Sequence, residues 1–250
     1  MKIDHLKEYL DEILSIRTID DESLNGLQVQ NSGTVTTLGL AVDSSITVLK
    51  KAHEMGADAL LVHHGLFWGK PVAMAGNLYE RIRVLVDSDM ALYAAHLPLD
   101  MHHKYGNNVG LVRTLGWTVT GNFGLYHGNE IGKYSSLSRS INLEEVVFRL
   151  KTKLNCNPII WPFGEKKVKK IALVSGNGIS LIDDAIKIGA DTMITGEPSH
   201  GYYWIAKETR LNVVFGGHYA TETIGVKMLG KHLEKRFKIR CVFIDQPTGL

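Results

Sequence analysis

Short apolar runs alternate with helical patterns along most of the chain. The runs 37–42, 59–64 and 91–96 are rich in aliphatic residues and are typical of buried strands. The segments between them, 44–56 and 77–89, are predicted to be helices. This βαβαβ alternation predicts a parallel sheet covered by helices, with ligands bound beyond the carboxyl ends of the strands.

The same alternation returns in the second half of the chain. The predicted elements are strands at 157–162, 169–174, 192–195 and 212–216 and helices at 145–155, 180–190, 202–211 and 221–237. Residues 124–165, between the two halves, are otherwise less regular. The N-terminal residues 1–14 have the pattern of an amphipathic helix and lack the apolar core of a signal peptide.

The two halves also align with each other. Residues 38–64 match 171–197 without a gap, and both segments carry Gly-Ala-Asp just before their second strand. At the third strands, His96-x-x-x-Asp100 falls on His218-x-x-x-Glu222. We therefore predict an α/β fold of two similar lobes that arose by internal duplication. The lobes are residues 1–123 and 124–250, each with a mostly parallel sheet flanked by helices, and a metal site is expected in the cleft between them.

Histidines and carboxylates cluster where the predicted strands end. His63 and His64 close the second strand, and Gly65 after them allows the chain to turn so that both rings can serve one site. His96 and Asp100 leave the third strand, in a segment where Pro98 argues for a loop rather than a regular helix.

The equivalent pair in the second half, His218 and Glu222, has the i, i+4 spacing of one helix face. Each group alone has an ordinary explanation, such as a hydrogen-bonded core histidine or a carboxylate that complements a helix N-terminus. Their joint occurrence at strand ends favours a metal cluster, because imidazole and carboxylate are the ligands of Zn, Mn, Fe, Co or Ni ions.

Other polar residues give weaker signals. Glu197 is the repeat partner of His64, so it is expected either to line the site or to be a solvated loop residue. Residues 175–178, Ser-Gly-Asn-Gly, read as a turn rather than a phosphate-binding loop. His102 and His103 are expected to be exposed loop histidines.

Composition argues against nucleic-acid-binding, disulfide-rich and membrane-spanning proteins but does not indicate a particular function. The net charge of +2 gives no field that would favour nucleic acid, and the two cysteines are too far apart for a disulfide framework or a Cys-x-x-Cys site. No apolar run approaches the roughly 20 residues that span a bilayer. A soluble, cytoplasmic protein without membrane partners is therefore expected.

Four motifs resemble those of a known family. LNGLQV (24–29), GADALLVHHGLFW (56–68), AAHLPLD (94–100) and GGHYATE (216–222) are together similar to the NIF-three-like family, also called GTP cyclohydrolase I type 2 homologues, in its short form without an inserted domain. The resemblance implies two divalent metal ions per subunit in a cleft between two lobes. Its ligands would be His63, His64, Asp100, His218 and Glu222. It also implies a homohexamer built as a trimer of dimers. Where the family often has Trp-Asp-Asn before Gly-Leu-Gln, this chain has Glu-Ser-Leu-Asn (22–25) before Gly26. The Asn is kept and the Asp is not, which leaves the role of the 22–28 loop open.

A metal-dependent hydrolase fits this set of residues best. Its small-molecule substrate would be a nucleotide or another anionic heterocycle, and His96 or Glu197 would handle protons. A non-catalytic metal-binding or metal-delivery protein is the alternative, with the same ligands but at least one labile ion. A nucleic-acid-associated regulator is the least supported function, because the net charge is near zero.

Overall fold

The computed structural model describes residues 1–250 and divides into two compact units. The first unit contains Met1–Tyr105 and Gly225–Gln246, and the second contains Gly106–Ile224 and Pro247–Leu250. The lobes inferred from the duplication, 1–123 and 124–250, stay a prediction. No helix is long and apolar enough to cross a membrane.

Nine α-helices and eleven strands follow each other along the chain. The helices are α1 (Ile3–Ile13), α2 (Ile46–Glu54), α3 (Gly76–Asp87), α4 (Leu97–Met101), α5 (Asn107–Thr114), α6 (Leu143–Leu154), α7 (Ile182–Lys187), α8 (Tyr203–Glu208) and α9 (His218–Phe237). The strands are β1 (Gly26–Val29), β2 (Thr37–Asp43), β3 (Ala59–His64), β4 (Ala91–Ala94), β5 (Gly121–Tyr126), β6 (Asn129–Asn142), β7 (Ile159–Pro162), β8 (Lys167–Leu173), β9 (Thr192–Thr195), β10 (Asn212–Phe215) and β11 (Arg240–Phe243).

The first unit is built on a five-stranded sheet in the order β1-β4-β3-β2-β11. The four strands from β4 to β11 are parallel, and only β1 is antiparallel. Successive residues of β3 face opposite sides of this sheet: Leu61 lies in the core cluster that contains Leu6 of α1, whereas Leu60 lies in the cluster that contains Leu49 of α2. Helices thus cover both faces, which explains why β2, β3 and β4 read as continuous apolar runs.

The second unit contains a six-stranded sheet in the order β5-β6-β8-β9-β10-β7. Its central strands β8, β9 and β10 are parallel, as their apolar pattern predicts. The flanking strands β5, β6 and β7 are antiparallel, so the expected parallel arrangement applies only to the middle of this sheet. The long strand β6 lies in the segment that looked irregular, because many of its residues are polar and exposed. The fold is therefore mixed α/β, with two sheets flanked by helices.

The loop predicted around Pro98 is wrong, because Leu97–Met101 forms the short helix α4. Proline lies in the first turn of this helix, where the backbone N–H that it lacks would have no partner within the helix. The helix thus carries Asp100 one turn beyond His96, whose carbonyl accepts a hydrogen bond from the Asp100 N–H at 3.0 Å.

Each unit contains an aspartate whose carboxylate accepts hydrogen bonds from two successive backbone N–H groups. Asp58 Oδ2 accepts hydrogen bonds from the N–H groups of Thr36 and Thr37 at 2.7 and 2.9 Å. Asp191 Oδ2 accepts them from Lys169 and Lys170 at 2.7 and 2.8 Å. These are the aspartates of the two Gly-Ala-Asp triplets. Each accepts backbone hydrogen bonds from the first parallel strand of its unit, at the beginning of β2 and within β8. The duplication itself stays a prediction.

Candidate metal centre

His63 lies at the end of β3 with its side chain fully buried. Its Nδ1–H donates a hydrogen bond to the carbonyl of Ala95 at 2.9 Å. The other ring nitrogen, Nε2, lies 3.5 Å from Oδ2 of Asp100, which is itself buried. The backbone of the neighbouring strand end therefore selects which nitrogen of His63 faces the carboxylate.

His64 is the last residue of the same strand and is half-buried. Its Nδ1–H donates to Asp43 Oδ1 at 2.8 Å, from the end of β2 on the other side of β3. The rings of His63 and His64 come together, with their centroids 4.7 Å apart. The next residue is Gly65, and only glycine allows the backbone to pass this close to Ala94, because a Cβ there would lie 2.6 Å from the Cβ of Ala94.

His96 joins this group from the end of β4. Its Nδ1–H is shared between the two carboxylate oxygens of Asp21 at 3.0 and 3.1 Å, and its backbone N–H donates to Asn25 Oδ1 at 2.7 Å. The ring nitrogens of His63, His64 and His96 lie within 4.8 Å of one another. Sequence reasoning missed Asp21, although the spacing Asp-x-x-x-Asn before a glycine was the available signal.

Asp21 is held as a carboxylate by its surroundings. Its side chain is only 2 % exposed, and burial alone would raise its pKa. The hydrogen bond and charge of His96 outweigh that effect, together with hydrogen bonds from Asn25 and Ser23, so the pKa lies below its usual value. Asp21 also accepts the N–H of Leu97 at 3.0 Å, so one buried carboxylate orients His96 and the start of α4.

The second unit brings together His218, Glu222 and Glu197. His218 begins α9, and its Nε2 lies 3.1 Å from Oε2 of Glu222 one turn later. Its Nδ1 lies 3.2 Å from Oε2 of Glu197. Burial lowers the pKa of His218, but the hydrogen bonds and charges of Glu222 and then Glu197 outweigh burial and raise the pKa to about 9. Glu197 therefore orients His218, one of the two roles open to it from sequence.

The backbone of Gly176 lies directly against the side chains of Glu222 and His218. Gly176 adopts a φ of +60°, and a Cβ there would lie 2.1 Å from Glu222 Oε1 and 3.3 Å from His218 Nε2. The Gly176 N–H donates to Thr221 Oγ1 at 3.0 Å, which ties the turn after β8 to the first turn of α9. Residues 176 and 177 form a bend that leads into the 3-10 helix Gly178–Leu181, and the missing side chain of Gly176 leaves room for the Glu222 carboxylate.

The two His-x-x-x-carboxylate pairs do not occupy equivalent backbone positions. Val62 pairs with Ala94, and the matching Thr195 pairs with Phe215. By this register His96 corresponds to Gly217, so the predicted match of His96 to His218 is wrong by one residue. The extra step at Gly217, with a φ of +91°, puts His218 inside its helix, whereas His96 precedes its own. Equal roles for the two histidines therefore do not follow from the repeat.

His102 departs from its predicted exposure. It is buried, and its Nδ1 accepts hydrogen bonds from the N–H groups of Lys104 and Tyr105 at 3.1 and 2.9 Å. Burial, followed by the charge of His103, lowers the pKa of His102 to about 4. His102 is thus a neutral residue that stabilises the turn after α4.

The four histidines of the two groups share one arrangement. Each directs Nδ1 at an oxygen, belonging to Ala95, Asp43, Asp21 or Glu197, so that Nε2 is the nitrogen that could bind a metal ion. In His218 an ion would replace the proton that Nε2 shares with Glu222. Metal-ligating histidines almost always have such an outer hydrogen bond, because it fixes the tautomer and the ring. The residues present therefore fit divalent metal ions. The assembly of both groups into one site stays a prediction.

Comparison with known proteins gives consistent matches over the whole length. A family model described as Duf34/NIF3 (NGG1p interacting factor 3) matches residues 1–249. A protein of Deinococcus radiodurans named GTP cyclohydrolase 1 type 2 homolog is 40% identical over 247 residues, which cover 99% of this chain and 94% of the relative. Among solved structures, the protein ybgI, titled as of unknown function, has a TM-score of 0.94 at 34% identity. A protein of Thermus thermophilus has a TM-score of 0.91 at 42% identity. Both structures cover 100% of this chain and are themselves covered in full.

Proposed function

Because the chain belongs to the Duf34/NIF3 family, we propose that it is a metal-dependent hydrolase acting on a nucleotide-like or other anionic heterocyclic substrate. The name of its relatives, GTP cyclohydrolase 1 type 2 homolog, supports this class of reaction. The observation that carries the proposal is the orientation of the four histidines, each with Nδ1 directed at an oxygen, because this outer contact is the one that metal-ligating histidines make.

The proposed ligands of two divalent ions are His63, His64, Asp100, His218 and Glu222. His63, Asp100 and Glu222 are buried, so their polar atoms are shielded from water and suited to hold a cation. Bound ions would supply Lewis acidity, which lowers the pKa of water and attracts an anionic substrate. Zn, Fe, Mn, Ni and Co all suit this ligand set.

His96 and Glu197 are the proposed proton carriers. Asp21 holds the Nδ1–H of His96, so only Nε2 is left to accept a proton from water or donate one to a leaving group. Glu197 keeps a carboxylate oxygen at the Nδ1 of His218 and so holds that ring in place. Neither residue needs to move for this work, because both are already fixed by hydrogen bonds.

Metal analysis and turnover test the proposal together. We expect purified protein to carry about two ions per chain and to hydrolyse at least one compound of a panel that includes GTP, phosphoesters and cyclic amides. His64→Ala should lose at least one ion and reduce turnover about 100-fold or more. His53→Ala removes an exposed histidine of α2 and should leave both unchanged. A metal-replete protein without turnover on any compound, matched by His64→Ala, would contradict a hydrolase.

The two units differ in the number and type of metal ligands that they provide, and this difference supports metal delivery as a second candidate function. Of the proposed ligands, the first unit supplies His63, His64 and Asp100, whereas the second supplies only His218 and Glu222. Two ions bound through such different sets would differ in lability. Isotope exchange of the bound metal separates the functions: one ion lost within minutes favours delivery, and a slowly exchanging pair favours catalysis.

We also propose a homohexamer, a trimer of dimers. Sedimentation equilibrium should give a mass about six times that of the 27.7 kDa chain. A monomer at micromolar concentration would contradict this assembly.

A further inference from the structure

A groove of about 550 Å³ lies in the first unit between residues 21–24 and 67–74. Its lining is mostly apolar, with Leu24, Phe67, Trp68 and Met74 among the apolar residues, and its polar groups are the carboxylates of Asp21 and Glu22, the hydroxyl of Ser23 and the ammonium of Lys70. Pockets that bind small molecules have volumes of roughly 300–1,000 Å³ and a similar mixture of apolar wall and few polar groups. The groove therefore has the size and lining of a site for a small molecule.

Backbone hydrogen bonds fasten the two walls of the groove to each other. The N–H of Leu24 donates to the carbonyl of Phe67 at 3.0 Å, and the N–H of Gly69 donates to the carbonyl of Glu22 at 2.6 Å. The indole N–H of Trp68 donates to the carbonyl of Gly65 at 3.0 Å. The Trp68 ring is therefore held in one orientation although it is 37 % exposed.

The groove adjoins the histidines of the candidate metal centre. Trp68 meets the ring of His96 edge to face, with centroids 4.9 Å apart, and lies 5.9 Å from the ring of His64. Asp21, which orients His96, also lines the groove. A molecule stacked on Trp68 would therefore lie beside a ring that contacts the imidazole proposed to carry protons.

One buried polar atom of the groove has no partner within the chain. Ser23 is 5 % exposed, and its Oγ makes no hydrogen bond. A buried hydroxyl without a partner costs about 1–3 kcal/mol. Oγ is shielded from water, so a ligand heteroatom would reach it after rotation of the Ser23 side chain and would then supply the missing hydrogen bond. This points to a polar ring rather than to a plain hydrocarbon.

We propose that this groove binds the planar heteroaromatic ring of the substrate, stacked on Trp68 and hydrogen-bonded by Ser23. Leu24, Phe67 and Met74 supply the apolar walls that such a ring requires, and exposed Lys70 suits an anionic group attached to it. The assignment rests on the proposed function in naming the ring as part of the substrate. Binding of the ring itself needs only residues of the groove and no metal ion.

Binding to chelator-treated, metal-free protein tests the groove apart from catalysis. Equilibrium dialysis would compare the four common nucleoside 5′-monophosphates with ribose 5-phosphate, which lacks the ring. We expect at least one nucleotide to bind and ribose 5-phosphate to bind at least tenfold more weakly. Trp68→Ala should weaken nucleotide binding about tenfold or more, and Trp68→Phe by no more than about threefold, because stacking depends on an aromatic face. Trp204→Ala, which removes an exposed tryptophan of the second unit, should have no effect.

Ser23→Ala separates a ligand-binding role from a structural one. We expect nucleotide binding about fivefold weaker and an unfolding free energy that is unchanged or higher, because the variant removes a buried hydroxyl without a partner. Lower stability with unchanged binding would contradict the role assigned to Ser23.

Three results would overturn the groove as a ring site. They are equal binding of ribose 5-phosphate, no nucleotide binding, or a Trp68→Ala protein that binds normally but changes its sedimentation. The last would show that a second copy of the chain covers the groove. Failure of the hydrolase is distinguishable, because it would leave nucleotide binding to the metal-free protein intact while the metal-replete protein shows no turnover.

Discussion

At the scale of single residues, the partners of Nδ1 explain how two neighbouring histidines of one strand can serve one site. Successive side chains on a strand normally point to opposite faces. At the end of β3, His63 takes its acceptor from Ala95 beyond β4, and His64 takes its acceptor from Asp43 at the end of β2. The strands on either side of β3 thus each fix one ring. Both rings remain at the carboxyl edge of the sheet, where sites form in parallel sheets.

Gly176 gives a sharp test of the second group. We expect Gly176→Ala to weaken metal binding at least tenfold, because its Cβ would displace the Glu222 carboxylate from 2.1 Å away. Gly189→Ala is the matched control, since Gly189 also has positive φ but no atom within 4 Å of its would-be Cβ. Both variants should lose about 1 kcal/mol of stability from backbone strain. Isothermal titration with Zn²⁺ measures the difference, and equal affinities for the two variants would show that Glu222 is not a ligand.

The pKa of Asp21 predicts a pH-dependent stability difference. A carboxyl whose pKa is lowered on folding stabilises the protein above its unfolded pKa of 3.8, and that contribution is lost as the pH falls through the folded pKa. We expect Asp21→Asn to lower the free energy of unfolding by about 1.5–3 kcal/mol at pH 7 and by much less at pH 3. Urea unfolding of metal-free protein measures both values.

Asp87→Asn, at an exposed position of α3, is the control for the Asp21 variant. It should match the wild type at both pH values. A loss of stability in Asp21→Asn that is the same at pH 3 and pH 7 would show that the charge of Asp21 does not stabilise the fold.

At the scale of elements, the sequence predicts the strands that consist of apolar residues and that recur in both halves of the chain. The strands β2, β3, β4, β9 and β10 follow from continuous aliphatic runs, because both faces of each are buried, and β8 follows from such a run only over Ile171–Leu173. The hairpin β5–β6 and the short edge strands β1 and β11 have no such runs, so their pairing depends on tertiary contacts that periodicity cannot reveal. The histidines could be found because they lie at the ends of apolar strands, whereas Asp21 and Asp43 orient histidines that are distant from them in sequence.

The two Gly-Ala-Asp triplets predict matching effects on stability. Asp58→Asn and Asp191→Asn should each lower the free energy of unfolding by about 1–2 kcal/mol, because each removes the charge that accepts two strand N–H groups. The effect of Asp58→Asn should be the larger, since Thr36 Oγ1 also donates to Asp58 at 2.6 Å. Chemical denaturation with Asp87→Asn as control measures both. A loss confined to one of the two variants would show that the triplets do not play the same role.

At the scale of the whole molecule, bound metal should contribute to stability as well as to chemistry. Ions that bind only the folded state stabilise it by about 2.7 kcal/mol at a hundredfold excess over the dissociation constant. For a chain of 250 residues this corresponds to a rise in Tm of roughly 5–10 °C. We expect chelation to lower the Tm by that amount and Zn²⁺ or Mn²⁺ to restore it. Glu222→Gln should abolish most of the shift, and Glu208→Gln, at an exposed position of α8, should not change it.

The direction of the pH effect distinguishes an ion bound through His218 from one bound elsewhere. In metal-free protein, the raised pKa means that protonated His218 stabilises the fold fully below its unfolded pKa of 6.5, and the contribution is lost as the pH rises through about 9. An ion must displace that proton, so the metal-induced rise in Tm should be larger at pH 8 than at pH 6. His218→Ala should lose most of this pH dependence. A metal-induced shift that grows with pH equally in wild type and His218→Ala would remove His218 from the ligand set.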